Sequence, residues 1–116
     1  MRYVVCLLAL LLCACAEPGV EPGLKAIVGG SLERSLDAEA IPFSVIVIAD
    51  GKIRALGPQA TTPVPKGAET IAAKGKVVRP MPYNVTLAPG GAADFLIFDA
   101  ETGAPERIMR DGEWVQ

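Results

Sequence analysis

Short apolar or alternating segments, separated by turn-forming residues, make up most of the chain after residue 23. Each segment is at most six residues long, is rich in β-branched or aromatic side chains and is bounded by Gly, Pro or Asp. These properties favour a strand over a helix. The pattern predicts strands at residues 24–28, 44–49, 53–56, 76–79, 94–98, 107–109 and 113–115, with a short edge strand at 69–72.

Two pairs of these segments are joined by an Asp-Gly dipeptide. Asp50 and Gly51 separate segments 44–49 and 53–56, and Asp111 and Gly112 separate the last two segments. Asp-Gly accepts the positive φ angles of a tight turn that matches the twist of the strands. Both places are therefore predicted to be β-hairpins.

Residues 45–48 and 95–97 are apolar at every position. Strands of this kind are typically covered on both faces. The alternative, a short buried helix, is disfavoured because each run is much shorter than a normal helix. Together the seven main segments predict an all-β fold, either a small β-sandwich or a partly closed barrel.

The first 16 residues have the layout of a signal peptide, so a signal helix is expected ahead of the β-fold. Arg2 carries the one positive charge, and residues 3–14 form an uninterrupted apolar run. That run is shorter than the roughly 20 apolar residues that a membrane-spanning helix needs.

The end of this leader resembles the bacterial lipobox, in which Leu stands three residues before an invariant Cys and a small residue one before it. Leu12, Ala14 and Cys15 fit that pattern, so cleavage between Ala14 and Cys15 would make Cys15 the lipidated first residue. Cys13 is a poorer candidate because bulky Leu12 would occupy the cleavage position, and Cys6 lies within the apolar run. The alternative is an ordinary secretory signal in which the cysteines serve as apolar residues. Cleavage at this bond leaves one cysteine, which carries lipid, so no disulfide is expected.

This interpretation divides the chain into a signal peptide at 1–14, a lipidated Cys15 with a Pro/Gly tether at 15–23, and a domain at 24–116. The tether would keep the domain clear of the lipid headgroups. The familiar signal for inner-membrane retention is Asp directly after the lipidated Cys, and this chain has Ala16 there. By that resemblance we expect a cell-envelope protein, held by membrane lipid through acylated Cys15 in the outer membrane and facing the periplasm.

The charged and catalytic residue types exclude several classes of function. Lys and Arg number 11 against 13 for Asp and Glu, and like charges do not cluster, so neither a nucleic-acid partner nor a polybasic membrane surface is expected. Histidine is absent. Its absence removes Ser-His-Asp and Cys-His catalysis and every metal site that needs imidazole.

Two carboxylate pairs, three serines and two Gly-Gly dipeptides are the remaining candidates for a site. They are Asp37 with Glu39, Asp99 with Glu101, Ser31, Ser35, Ser44, Gly29-Gly30 and Gly90-Gly91. The carboxylates lie in polar turn segments, where solvated loop charge explains them better than a glycosidase pair. The serines lack the patterns of a nucleophile, and the glycines fit turns and strand ends better than a phosphate-binding loop. No catalytic residue, metal ligand or cofactor is predicted, and Phe43 and Trp114 are expected in the core or at its rim.

Several longer motifs follow one another in a specific order. A strand ends in Gly29-Gly30, residues 45–57 read VIVIADGKIRALG, residues 64–69 read VPKGAE and residues 75–80 read GKVVRP. A second set follows, with TLAPGGAADFLIFDA at 86–100 and MRDGEWV at 109–115. In this order the motifs resemble the small β-domain of amidohydrolase-superfamily enzymes of the imidazolonepropionase and prolidase-like type, in which both ends of the chain build one domain.

The same resemblance implies that the catalytic domain is missing. In the family, the proline that corresponds to Pro80 leads into G-[LF]-[IV]-[DN]-x-H-x-H, the first metal-binding strand of a TIM barrel. Here Met81 to Val85 follow, and the second set of motifs begins at once. The metal-binding histidines, the bridging ligand and the catalytic aspartate have no counterpart, since Asp94 belongs to the β-domain's own Ala-Asp motif. A short loop in place of the barrel is physically reasonable because a shorter connection costs less closure entropy.

Two functions are consistent with this sequence. The first is a membrane-anchored, non-catalytic β-domain with a binding or vestigial role. The second is one part of a split amidohydrolase, a hydrolase acting on non-peptide C–N bonds, in which the domain docks on a separately encoded barrel. An apolar patch on the face that a barrel would cover would favour the second.

Overall fold

The structure, a computed structural model, describes residues 23–115 and places them in nine strands and no helix. The strands are β1 (Lys25–Val28), β2 (Ser31–Leu32), β3 (Ser44–Ala49), β4 (Lys52–Pro58), β5 (Glu69–Ala72), β6 (Lys76–Pro80), β7 (Phe95–Asp99), β8 (Pro105–Arg110) and β9 (Glu113–Trp114). The predicted all-β fold is confirmed. The expected signal helix lies outside the described residues.

The strands form two mixed sheets. The first sheet has the order β4-β3-β1-β5 and the second has the order β2-β6-β7-β8-β9. The β1–β5 and β2–β6 pairs are parallel, and all other pairs are antiparallel. Residues of both sheets share one main core, which gives the small β-sandwich that the sequence predicts.

Strand β3 lies inside the first sheet and is buried at every position. Ile46 and Ile48 point into the main core between the sheets, whereas Val45, Val47 and Ala49 belong to a second cluster on the opposite face. The expectation that both faces of this strand are covered is confirmed, and it explains the continuous apolar run.

The cover over the outer face of the first sheet is the connection between β4 and β5. These two strands lie at opposite edges of that sheet, so residues 59–68 must cross from one edge to the other. Thr62 in this connection is buried, and Ala68 packs against the second cluster.

Strand β7 differs from β3 in its surroundings. Phe95 and Ile97 are buried in the main core, but Leu96 between them is only partly buried and belongs to neither core cluster. The expectation of cover on both faces is therefore wrong for residues 95–97. Within residues 23–115, no connection joins opposite edges of the second sheet as 59–68 does in the first.

Both Asp-Gly dipeptides form the predicted tight turns. The φ angles are 53° at Asp50 and 78° at Gly51, and 50° at Asp111 and 80° at Gly112. Two successive positive φ angles are typical of the type I′ turn, whose twist matches that of the flanking strands. The β3–β4 and β8–β9 hairpins are thus confirmed.

The two parts of the chain interleave in the second sheet. Strand β6 pairs with β7 from Lys76 opposite Asp99 to Pro80 opposite Phe95. Strand β2, which the sequence did not predict, lies on the other side of β6, and its Leu32 is fully buried. Residues from before and after the β6–β7 connection therefore build one core.

The two candidate core aromatics have different environments. Trp114 is partly buried against the main core, and the Arg107 guanidinium lies over its ring, 3.7 Å from the centroid. Phe43 is 63% exposed, so its expected place in the core or at the rim is wrong. A φ of 49° at Phe43 bends the backbone just before β3 and leaves the ring outside the sandwich.

Candidate functional site

The predicted lipidation site, with cleavage between Ala14 and Cys15, lies outside the described residues. Lipidation of Cys15 stays a prediction. The tether reaches the described domain at Gly23, which lines one recess together with Asp50 and Gly51 of the β3–β4 turn. In the stretch from 23 to 115 no helix has the length and hydropathy to cross a membrane.

The connection between β6 and β7, at residues 81–94, is the place where the resembling family carries its barrel. Its two ends meet, because the Met81 N–H donates to the Asp94 carbonyl at 3.3 Å. In its middle, the Leu87 N–H donates to the Arg34 carbonyl at 2.8 Å, and the Leu87 side chain is buried in the main core. The β6–β7 pair is thus closed by a packed loop.

Ala93 and Asp94 hold the two hairpin turns together. The Ala93 N–H donates to the Gly51 carbonyl at 3.0 Å, and the Ala93 carbonyl accepts from the Gly112 N–H at 3.1 Å. The Asp94 Oδ1 accepts from the Asp111 N–H at 2.6 Å. The Ala-Asp motif therefore has a structural role here, in agreement with its expected place in the β-domain.

Replacing Asp94 by Ala is expected to lower the free energy of unfolding by about 1–2 kcal/mol, because the Asp111 N–H loses its charged acceptor. Urea unfolding of the two proteins measures this difference. Asp94→Asn is the matched control, since its amide oxygen can still accept from Asp111, and it should lose less than half as much. Equal losses in both variants would show that the hydrogen bond is not what Asp94 contributes.

A polar recess of about 310 Å³ lies where the two turns meet the tether. Its lining includes Asp50, Lys52, Asp111 and Glu113, together with Gly23. Over the described part of the chain, no three acidic or thiol side chains come close enough together to form a metal site.

A second groove, of about 400 Å³, lies beside the start of the β6–β7 connection. It is lined by Glu33, Ser35, Leu36, Ala38, Ala40, Arg79, Pro80 and Tyr83. Leu36 is 66% exposed and Tyr83 is 62% exposed, so the groove presents large apolar side chains to solvent. The Arg79 Nε donates to the Glu33 Oε1 at 2.7 Å and forms one wall.

A small ionic cluster at the other end of β6 shifts two pKa values. The Lys76 Nζ lies 2.6 Å from the Glu106 Oε2 and 3.7 Å from the Asp99 Oδ2. The hydrogen bond with Glu106 raises the pKa of Lys76 above its ordinary 10.5. Backbone N–H groups of Thr102 and Glu101 donate to Asp99 and lower the pKa of its carboxyl below 3.8. These contacts fasten the β7–β8 turn to β6, which is a structural duty.

Four other candidate residues from the sequence have a defined place in the structure. The Ser44 Oγ is buried and donates to the Gly30 carbonyl at 2.7 Å, so it fastens a strand end. Asp37 and Glu39 are exposed in the loop between β2 and β3. Gly29 has a φ of 96° and ends β1, as a strand-end glycine does.

The groove was not predicted from the sequence. Leu36 and Tyr83 stand singly among polar and small residues, and no period or motif marks a lone exposed apolar side chain as part of a surface. Their proximity depends on the long-range pairing of β2 with β6, which brings the Glu33 loop beside Pro80.

Comparison with protein-family models gave no match, and comparison with curated proteins gave none either. Among solved structures, a chain of molinate hydrolase is similar to this one with 31% sequence identity and a TM-score of 0.46. The similar region covers 53% of this chain and 13% of that chain. The match thus spans only a small part of the length of the molinate hydrolase chain.

Proposed function

We propose that this protein is a lipid-anchored component of the cell envelope whose amidohydrolase-like β-domain acts by binding and has no catalytic barrel of its own. The observation that carries the proposal is the β6–β7 pair. Its strands come from the two sets of motifs that flank a barrel in the resembling family, and here they pair along their full length across a packed loop. The domain is thereby complete as a β-sandwich without an inserted catalytic domain.

The anchor part of the proposal is supported by the lipobox-like sequence from Leu12 to Cys15 and by the position of Gly23. The tether joins the domain at Gly23, beside the two hairpin turns. Several acyl chains on one residue would hold the protein stably, whereas a single chain binds only marginally.

Replacing Cys15 by Ser is expected to release the protein from the membrane or to leave an unprocessed precursor, because the acylated sulfur is lost. Partition into detergent and the mass of the N-terminal peptide measure this. Cys13→Ser is the control and should keep the lipid. Wild-type protein recovered as soluble material without acyl chains would contradict the anchor.

Purified protein is expected to bind no stoichiometric zinc and to hydrolyse no amide or lactone. Metal-assisted hydrolysis needs a metal-bound water of lowered pKa and a base. The resembling family holds its metal with histidines, and this chain has none. Metal analysis, together with turnover assays on dipeptide, dihydropyrimidine and lactone substrates, measures this. Turnover by the isolated protein would refute the non-catalytic role.

The second candidate function is docking onto a separate amidohydrolase barrel. The observation that favours it is the groove beside Pro80, where Leu36 and Tyr83 are exposed at the place from which the family's barrel departs. A barrel-only protein encoded nearby would be the partner to test. Turnover that appears only in the mixture, and that Tyr83→Asp abolishes, would favour this function over the first.

A further inference from the structure

Among the described residues, the outer face of the second sheet carries apolar side chains that pack in neither core cluster. Val77, Leu96, Phe98 and Ile108 are each partly buried, and none belongs to either core cluster. They alternate with the core residues of the same strands, such as Val78, Phe95 and Met109, so they lie on the opposite face. We call Val77, Leu96, Phe98, Ile108 and the adjacent Val115 the outer apolar face.

The pairing register makes this face continuous. Val77 lies opposite Phe98 across the β6–β7 pair, and Leu96 lies opposite Ile108 across the β7–β8 pair. Val115 follows β9, donates its N–H to the Ile108 carbonyl at 2.8 Å, and is 50% exposed. The face therefore extends over β6, β7, β8 and the end of the chain that follows β9.

The same face also carries the charged residues Arg79 and Arg110, each of which has an acidic neighbour. Arg79 pairs with Glu33 and lies over the Phe98 ring at 4.5 Å. Arg110 lies opposite Glu113 in the β8–β9 pair. A face without net charge binds through apolar contacts, and a negatively charged surface adds no electrostatic attraction to that binding.

The size of the face argues against a second copy of the chain as its occupant. Three strands of five or six residues and two strands of two residues, spaced about 4.8 Å apart, give a face of roughly 300 Å². A stable dimer buries about 800 Å² on each partner. A face of this size contributes appreciable binding only when something else holds its occupant close by.

The tether supplies that proximity to a bilayer. Residues 15–22 can extend at most about 28 Å, and they join the domain at Gly23, in the recess that Asp111, Gly112 and Glu113 line at the tip of the β8–β9 hairpin. That hairpin forms one margin of the second sheet. A domain held at this margin can place its outer apolar face against the lipid within one tether length.

We propose that the outer apolar face lies against the interfacial region of the phospholipid bilayer while Cys15 is anchored, and that the tether does not hold the domain clear of the headgroups as expected from the sequence. This inference rests on the lipid anchor of the proposed function. Binding comes from apolar contact with the acyl boundary, so it should depend little on salt or on anionic lipid.

The test uses methyl spectra of the full gene product, purified with its acyl chains and placed in phosphatidylcholine nanodiscs that contain a spin-labelled lipid. Methyl signals of Val77, Leu96 and Ile108 are expected to lose most of their intensity. Val64, which is exposed on the connection that covers the first sheet, is the internal control and should keep its intensity. Replacing one quarter of the lipid by an anionic lipid should leave this pattern unchanged.

Leu96→Glu should restore the Val77 and Ile108 signals, because a carboxylate on the face opposes insertion. Thr70→Glu, at an exposed position of β5, is the matched control and should change nothing. Thermal unfolding of both variants checks that the fold is kept. If Leu96→Glu fails to fold, Ile108→Gln takes its place with the same expected result.

A second arm separates this inference from the anchor itself. The chain from Cys15 to the C-terminus contains every described residue, and its one thiol can be coupled to a maleimide lipid whether or not a cell acylates it. Broadening confined to the outer apolar face in this arm supports the inference even if natural acylation fails. Equal broadening at Val64, no broadening at all, or a dimer that Leu96→Glu dissociates would overturn it.

Discussion

Replacing Gly112 by Ala is expected to lower the free energy of unfolding by about 2–4 kcal/mol. A Cβ on Gly112 would lie 2.7 Å from the Gly51 Cα and 3.2 Å from the Gly51 nitrogen. Both are backbone atoms, so no side-chain rotation relieves the clash, and overpacking of this kind costs about 1–3 kcal/mol. A φ of 80° at this position adds about 1 kcal/mol for a residue with a Cβ. Urea unfolding monitored by circular dichroism measures the loss.

Gly103→Ala is the matched control for this experiment. Gly103 has a nearly equal φ of 75°, but a Cβ there would meet no atom within 4 Å. Its substitution should therefore cost only the backbone part, about 1 kcal/mol. If the two variants lose the same stability, the contact between the turns has no energetic importance.

A chain that ends at Tyr83 is expected not to fold. It lacks β7, β8 and β9, and with them the fully buried Phe95 and Met109 of the main core. Strand β6 would lose its antiparallel partner and keep only the two-residue β2. Fragments of this size rarely have a core that contributes more than a few kcal/mol. Circular dichroism should show no cooperative thermal transition.

Adding the missing part as a separate peptide provides the control. A peptide of residues 84–116 mixed with the truncated chain should restore strand signal, because every pairing across the break is non-covalent. A truncated chain that melts cooperatively near the midpoint of the whole protein would show that the two parts do not depend on each other.

Much of the fold could be predicted from local sequence because its signals are local. The two hairpins depend on Asp-Gly turns whose φ preferences belong to the dipeptides themselves. Strand β2 could not be predicted, since it has two residues and exists only because β6, more than 40 positions later, lies beside it. The partial exposure of Leu96 could not be predicted either. An apolar strand has the same sequence pattern whether its outer face is covered or open to solvent.

The same limit applies to the candidate site. The sequence motif assigns Asp94 to the β-domain. Its hydrogen bond with the Asp111 N–H depends on the meeting of two turns in space, and the spacing of residues along the chain does not predict that meeting. The groove at Leu36 and Tyr83 depends likewise on long-range pairing. The prediction for Cys15 concerns a local motif and is decided by processing chemistry rather than by the fold.

The contact between the two turns also bears on the order of folding. Gly51 and Gly112 are 61 positions apart, whereas each hairpin closes over a few residues and can form within microseconds. Contacts between residues so far apart in sequence form late in folding. Closing the long intervening loop costs entropy before the contact itself stabilises the chain. Weakening this contact should therefore accelerate unfolding and leave the folding rate nearly unchanged. The contact between the two turns therefore contributes to the kinetic stability of the sandwich by slowing its unfolding.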